Sequence, residues 1–374
     1  MNASSQNAEC HIKLGEIATY VNGYAFKPSD YSSKEGDPII RIQDLTGNSY
    51  VTNKFSGNLP NKYRVNNGDI LVSWSASLGV YEWTKGPAWL NQHIFKVVFD
   101  KKPINKSFFI HQARHIIENS GNLAHGATMR HLTKKVFDAL PFYNPGPQEQ
   151  QQIADQLDKL SAIIDTCQTA NRKLENLVKS RFVEMFGDLE HGYNCSLRKL
   201  DSIAEVGSSK RVFKNELLAE GVPFYRGTEI AELSAGGAIK PSLFISKEHY
   251  ERLIGSTGKP EIGDLLLPSI CPDGQIWRVN TDTPFYFKDG RVLWIRPDRN
   301  AVDGVYLRHA LSTMFQMSFS NIASGTTFAE LKIFLLKKLS VPLPELKAQK
   351  EFVSFVAQVD KLRFDGGSGD AERC

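Results

Sequence analysis

Nine histidines, five cysteines and a scatter of carboxylates are the side chains here that could do bond-making chemistry, and their spacing argues against it. The cysteines Cys10, Cys167, Cys195, Cys271 and Cys374 form no CxxC pair and are odd in number. They therefore predict neither a zinc cage nor a disulfide framework. Six of the nine histidines precede residue 132, and none has HExxH spacing, so no metal ligand is assigned. No GxxxxGK[ST] loop is present to hold nucleotide phosphates. No Ser or Cys sits in a nucleophile elbow. Methylation of a flipped base would want an aromatic after Asn-Pro to stack on that base. Residues 144–147 read Asn-Pro-Gly-Pro, without the aromatic. Nuclease chemistry would need carboxylates clustered around a metal ion, and the sequence displays no such cluster. No catalytic residue is assigned.

Recognition of DNA, which the family resemblance given below implies, would use other side chains. Cations and backbone donors anchor phosphates, whereas Arg, Asn, Gln, Ser and Thr on loops meet base edges. In the first part of the chain the loop candidates for DNA contact are Lys27, Arg41, Gln43, Ser73, Ser75, Gln92, His93, Thr128 and Arg130. In the second they are Lys210, Arg211, Arg226, Thr228, Ser269, Lys288, Arg291, Thr326 and Thr327. Bracing a sheet is the competing use for Arg41 and Arg226, which follow strand-like runs. Charge is a mild guide: the net charge is +4, and residues 1–147 alone carry 16 basic against 11 acidic side chains, net +5.

These residues need elements to position them, and the chain supplies each element twice. Lys13-Leu14-Gly15-Glu16-Ile17-Ala18 returns as Lys199-Leu200-Asp201-Ser202-Ile203-Ala204. Pro38 to Leu45 returns as Pro223 to Ile230, which pairs Arg41 with Arg226. Gly68-Asp69-Ile70-Leu71 returns as Gly263-Asp264-Leu265-Leu266, and Gly126-Ala127-Thr128 as Gly325-Thr326-Thr327. Gln150 returns as Gln349, each after a Pro-rich stretch, and Lys134-Lys135 as Lys337-Lys338. The order is kept throughout, so 374 residues read as two tandem modules. Within each, β-branched and aromatic runs at 69–74, 94–99, 264–267 and 291–295 predict strands. The 3.6-residue period predicts helices over 107–117 and 303–315. Each module is therefore α+β.

From Gln148 to Phe186 there is neither Gly nor Pro. Ile153, Leu157, Leu160, Ile164, Cys167, Asn171, Leu174, Val178, Arg181 and Met185 fall at alternating steps of four and three, a heptad seam. Such a helix is about 58 Å long and predicts a rod between two modules. Its seam calls for an antiparallel partner. Phe352, Val356 and Val359 in a short C-terminal helix offer matching steps. Hydrophobic residues are 41% and charged residues 23%, an ordinary globular composition. No apolar run approaches 18 residues, and residues 1–10 lack an apolar leader core. These features predict a cytoplasmic protein without a membrane span.

The ordered set of motifs resembles the specificity (S) subunit of type I restriction–modification enzymes. The Lys13 to Ala18 start, the Gly68 to Leu71 strand, the Gly126-Ala127-Thr128 loop and Pro147 to Ile153 running into Leu157-Asp158-Lys159-Leu160 carry the likeness. The resemblance implies two target recognition domains, 1–147 and 188–344, separated by long helices that form an antiparallel coiled-coil-like spacer at 148–187 and 345–365, with a tail at 366–374. It implies a non-catalytic subunit that reads a bipartite, asymmetric DNA site with a fixed gap. Two methyltransferase (modification) subunits and the restriction subunits would dock on it, and S-adenosylmethionine, ATP and magnesium would belong to those partners. Pairing of the spacer helices into a homodimer is a further expectation. The alternatives are a self-contained DNA methyltransferase or nuclease, and a coiled-coil scaffold for proteins only. The helix stopping near Phe364 and the Gly366-Gly367-Ser368-Gly369 tail depart from the family pattern.

Overall fold

A computed structural model of the chain describes residues 11–32, 35–47, 53–120, 132–323 and 330–363. The chain divides into two compact units, Met1–Asp165 and Thr166–Cys374.

The first unit is built on the strands β1 (His11–Lys13), β2 (Thr19–Asn22), β3 (Asp37–Ile40), β4 (Lys54–Phe55), β5 (Arg64–Val65), β6 (Ile70–Ser73), β7 (Gly79–Glu82), β8 (Ala88–Leu90), β9 (Ile94–Val98) and β10 (Pro141–Tyr143). Its helices are α1 (Ile42–Leu45), α2 (Lys106–Asn119), α3 (Lys134–Asp138) and the first half of α4 (Pro147–Phe186). The main sheet has the order β2-β9-β6-β7 and is antiparallel. A second sheet, β4-β3-β8-β5, contains one parallel pair, in which Ile40 stands opposite Leu90.

Strand β6 explains why two sheets stack. All four of its residues are buried. Ile70 and Val72 join the core under α2, with Phe108 and Phe109, whereas Leu71 joins Ile40 and Leu90 on the other side. Alternate side chains of a strand point to opposite faces, so an uninterrupted apolar run needs a core on each.

The second unit repeats this plan. After the β11 (Gly187–Asp188) and β12 (Gly192–Tyr193) hairpin come β13 (Ser196–Lys199), β14 (Ala204–Ser208), β15 (Val222–Tyr225), β16 (Phe244–Ile245), β17 (Leu265–Pro268), β18 (Trp277–Arg278), β19 (Tyr286–Phe287), β20 (Val292–Pro297) and β21 (Ser340–Leu343). Helices α5 (Gly227–Ser234), α6 (Lys247–Thr257), α7 (Gly304–Ile322), α8 (Ile333–Lys338) and α9 (Leu346–Asp360) complete it. The sheet β14-β20-β17-β18 matches β2-β9-β6-β7, and β13-β21 matches β1-β10. Strand β15 lies parallel to β19, as β3 does to β8. Leu265 and Leu267 face one core and Leu266 the other, so β17 is the β6 of its unit.

The duplication extends to single hydrogen bonds. Gln150 and Gln349 are buried amides, one turn into α4 and α9. Gln150 Oε1 accepts the Asn105 N–H at 2.9 Å while its Nε2 donates to the Pro145 carbonyl at 2.8 Å. Gln349 accepts from the Asp303 N–H at 2.8 Å and donates to the Pro344 carbonyl at 2.8 Å. Each amide ties a helix to the N-cap of another, Asn105 for α2 and Asp303 for α7.

The long helix differs from the heptad reading. Its buried positions are Gln150 and Ala154 near one end and Val178, Phe182 and Phe186 at the other, all spaced by four. Those faces pack on globular cores: Ala154 in the first unit, Phe182 and Phe186 in the second. Ile153 and Leu174 only border these cores, and Leu160 and Ile164 are each 55% exposed. A full-length seam would require an equally long partner, and α9 has 15 residues. Where the two helices meet they are antiparallel. Phe352 contacts Phe182 and Phe186, Phe355 lies under Arg181, and Arg363 Nη1 sits 3.5 Å from Glu175 Oε1. Val356 and Val359 are buried beside them. Gly187 ends α4 at φ +82°, with its Cα hydrogen facing the Gly192 carbonyl oxygen so closely that a side chain would collide.

Candidate nucleic-acid interface

Parallel strands leave a sheet at the same end, and this is what gathers the predicted residues. Tyr225 at the end of β15 stands opposite Phe287 at the end of β19. The next residues, Arg226 and Lys288, therefore emerge side by side, and the Lys288 N–H donates to the Tyr225 carbonyl at 2.9 Å. The neighbouring sheet ends beside them: Ser269 N–H donates to the Arg291 carbonyl at 2.9 Å. Arg226, Thr228, Ser269, Lys288 and Arg291 thus line one open cleft of about 440 Å³. All five were chosen from sequence, though Ser269 is itself buried and braces the cleft from behind its surface.

The charges in the cleft are organised by carboxylates. Arg226 is the N-cap of α5, and its backbone N–H donates to Glu229 Oε2 at 2.8 Å. The same Glu229 accepts from Arg226 Nη2 at 2.6 Å and Nε at 3.2 Å, and from Thr228 Oγ1 at 3.0 Å. Burial alone would push the Glu229 carboxyl up, but the hydrogen bonds from Arg226 and Thr228 outweigh it and hold it at about 2. Arg291 Nη1 pairs with Glu330 Oε1 at 2.9 Å, and Ser269 Oγ donates to the same oxygen at 2.8 Å. Each arginine is more exposed than its acid: 44% against 13% for the first pair, 57% against 30% for the second. The cations face outward with the acids behind them.

Lys210 and Arg211 are exposed on the segment after β14. Arg211 lies over the Phe213 ring and 3.7 Å from Asp289. In the first unit, Arg41 directly follows β3 as Arg226 follows β15, while Asn91 holds the place of Lys288 after β8 and Gln92 lies one residue beyond it. Arg41 N–H donates to Asp44 Oδ2 at 2.7 Å, while its side chain lies 5.2 Å from the Tyr31 ring centre. Gln43 is half-buried on α1, and Gln92 is exposed. Ser75 is buried as well, and Ser73 requires a correction. It is fully buried, and its hydroxyl donates to the Ser77 carbonyl at 2.5 Å, so it holds a loop and does not face solvent. Thr128, Arg130, Thr326 and Thr327 lie outside the described residues.

The carboxylates Glu229, Glu330 and Asp44 were not among the residues chosen from sequence. A signal for two of them was present: Arg41-x-x-Asp44 and Arg226-x-x-Glu229 repeat N-cap to N3 spacing, at which an acid reaches back to the cap N–H. Among the described residues no helix is long and apolar enough to cross a membrane. Nor does any group of three His, Cys, Asp or Glu there form a metal cage.

A family model described as the type I restriction modification DNA specificity domain matches the chain twice, over residues 10–176 and 194–365. The specificity subunit of the EcoBI type I restriction enzyme of Escherichia coli is 30% identical over 170 residues, 45% of this chain. That alignment spans only 35% of the subunit's own length. A Haemophilus influenzae protein described as a type I restriction enzyme specificity subunit is 26% identical over 357 residues, 88% of this chain and 89% of that one. Among solved structures, the S subunit of a type I restriction–modification system from M. genitalium aligns over 94% of this chain and 89% of its own, at 15% identity and a TM-score of 0.48.

Proposed function

The chain belongs to the type I restriction modification DNA specificity family and is a specificity subunit, and from that premise we propose that it reads a bipartite, asymmetric DNA site, one half with each unit, across a fixed unread gap. The observation that carries this reading is the duplication. Two units with the same strand order both end a parallel pair on an arginine, Arg41 in one and Arg226 in the other. The loops differ in sequence, so two different blocks are expected. The cleft of the second unit adds Thr228, Lys288 and Arg291, a mixture of cations and short polar groups suited to phosphates and base edges.

DNA sequence recognition is the role of the family, and the chemistry of modification and cleavage falls to partners. Two methyltransferase subunits and restriction subunits dock on the specificity subunit in the cytoplasm and bring S-adenosylmethionine, ATP and magnesium. The half-exposed apolar residues of α4, Leu160, Ile163 and Ile164, offer a surface for that docking or for a second copy of the chain.

The test is duplex binding by the chain assembled with its methyltransferase partner. Binding should demand both sequence blocks at one gap length and should weaken steeply as salt rises, because phosphate contacts release counterions. Affinity that ignores gap length, or methyl transfer by the purified chain alone, would overturn the reading.

A further inference from the structure

We propose that Arg226 reads a guanine in the major groove of the half-site held by the second unit, and that Glu229 positions it for that reading. The inference rests on the DNA-reading role proposed above and names one chemical determinant of it.

The argument starts from the five N–H bonds of a planar guanidinium. Glu229 takes one edge, accepting from Nε and Nη2. The two N–H bonds of Nη1 and the outer one of Nη2 remain on the end facing away from Glu229. Two parallel donors at that spacing match O6 and N7 of guanine. A phosphate would also accept two such bonds, and charge separates the two ligands. The ion pair cancels the net charge of Arg226, so a phosphate would gain little Coulomb attraction. A neutral base edge needs only directed donors, and those remain. Glu229 is 13% exposed against 44% for Arg226, which places the acid behind the arginine and the free end of the arginine outward.

The duplicated unit supplies an internal comparison. At the same N-cap, the first unit has Arg41 with Asp44. The shorter acid accepts from the backbone N–H, and the guanidinium lies over Tyr31 instead. One methylene therefore separates an arginine oriented by its acid from one oriented by a ring.

Three complexes test this, each the full chain assembled with its methyltransferase partner: wild type, Arg226→Lys and Glu229→Asp. Glu229→Asp keeps the cap on α5, as Asp44 does on α1, so folding is preserved. Each is selected against duplexes with randomised half-sites, and base preference is read position by position. Wild type should require guanine at one position in one block. Arg226→Lys should reduce that preference about tenfold or more while leaving other positions unchanged. Glu229→Asp should lower it in the same direction with an unaltered salt slope. Placing 7-deazaguanine at that position should weaken the wild type and not Arg226→Lys. Uniform weakening on all sequences by Arg226→Lys, with the salt slope reduced by about one, would identify a phosphate contact and overturn the proposal. Unchanged base preference in both variants would also overturn it. Loss of all sequence preference in the wild-type complex would instead strike the parent reading.

Discussion

At the scale of single residues, Gln349 shows how a polar side chain becomes indispensable by being buried. It accepts the N-cap N–H of α7 and donates to the Pro344 carbonyl that precedes α9. Gln349→Leu fills the same space but strands both groups. Each unsatisfied buried group costs about 1–3 kcal/mol. The variant should lose about 2–4 kcal/mol in urea unfolding followed by tryptophan fluorescence, and Gln150→Leu should do the same in the first unit. A loss below 0.5 kcal/mol in either would refute the account. His309 makes a second prediction. Burial, with Arg308 and Arg363 nearby, holds its imidazole down at about 3, against 6.5 for an ordinary histidine. The unfolded chain therefore binds a proton below pH 6.5 that the folded chain refuses, and stability falls as pH drops through that window. The slope is at most about 1.4 kcal/mol per pH unit. Urea midpoints at pH 7.5 and 5.0 should converge less for wild type than for His309→Asn, which cannot take up the proton; equal pH dependence would rule the mechanism out.

The sequence reveals some residues and hides others for a physical reason. Gln150 and Gln349 were legible because their surroundings recur in order along the chain. The choice of Ser73 failed because a strand-end serine looks alike whether its hydroxyl faces solvent or, as here, the carbonyls of its own loop. Glu229 was invisible as a partner of the guanidinium because its reach depends on the φ/ψ of the cap.

At the scale of elements, strands were the most readable parts. The apolar runs at 69–74 and 264–267 announced β6 and β17, since a strand buried on both faces needs an unbroken apolar stretch. Pairing was not readable, because period 2 sets faces and not neighbours; the parallel pairs that gather the cleft emerged only in the fold. Helix α4 was legible in length but not in face. Its ends follow the four-residue step that suits a globular core, and the heptad survives only in the middle, where apolar side chains are half exposed. Replacing Leu160 and Ile164 together by Gln should leave the unfolding free energy of the isolated chain within about 0.5 kcal/mol, as exposed sites do. The same double variant should cut recovery of the methyltransferase complex in size-exclusion chromatography with light scattering. Normal assembly would remove this face from the docking surface.

At the scale of the whole molecule, α4 belongs by its first half to one unit and by its second half to the other. If the gap in the DNA site is set by that helix, its length should be a quantity that mutation can change. Seven residues inserted after Asp165 lengthen a helix by about 10.5 Å and turn it about 20° short of two full turns. The faces that carry Ala154 and Phe182 then keep nearly their original phase. At about 3.4 Å per base pair the gap should grow by at most three pairs, less whatever bending absorbs, with both sequence blocks unchanged. Two inserted residues add about 3 Å but rotate the following half by roughly 200°. That insertion should abolish specific binding at every gap length, since the second half then presents the wrong face to whatever docks along the helix. Methylome sequencing of cells carrying each insertion with the methyltransferase partner reads both outcomes. A seven-residue insertion that leaves the gap unaltered would show that the helix does not set the spacing, and the ruler would have to be sought in the partners.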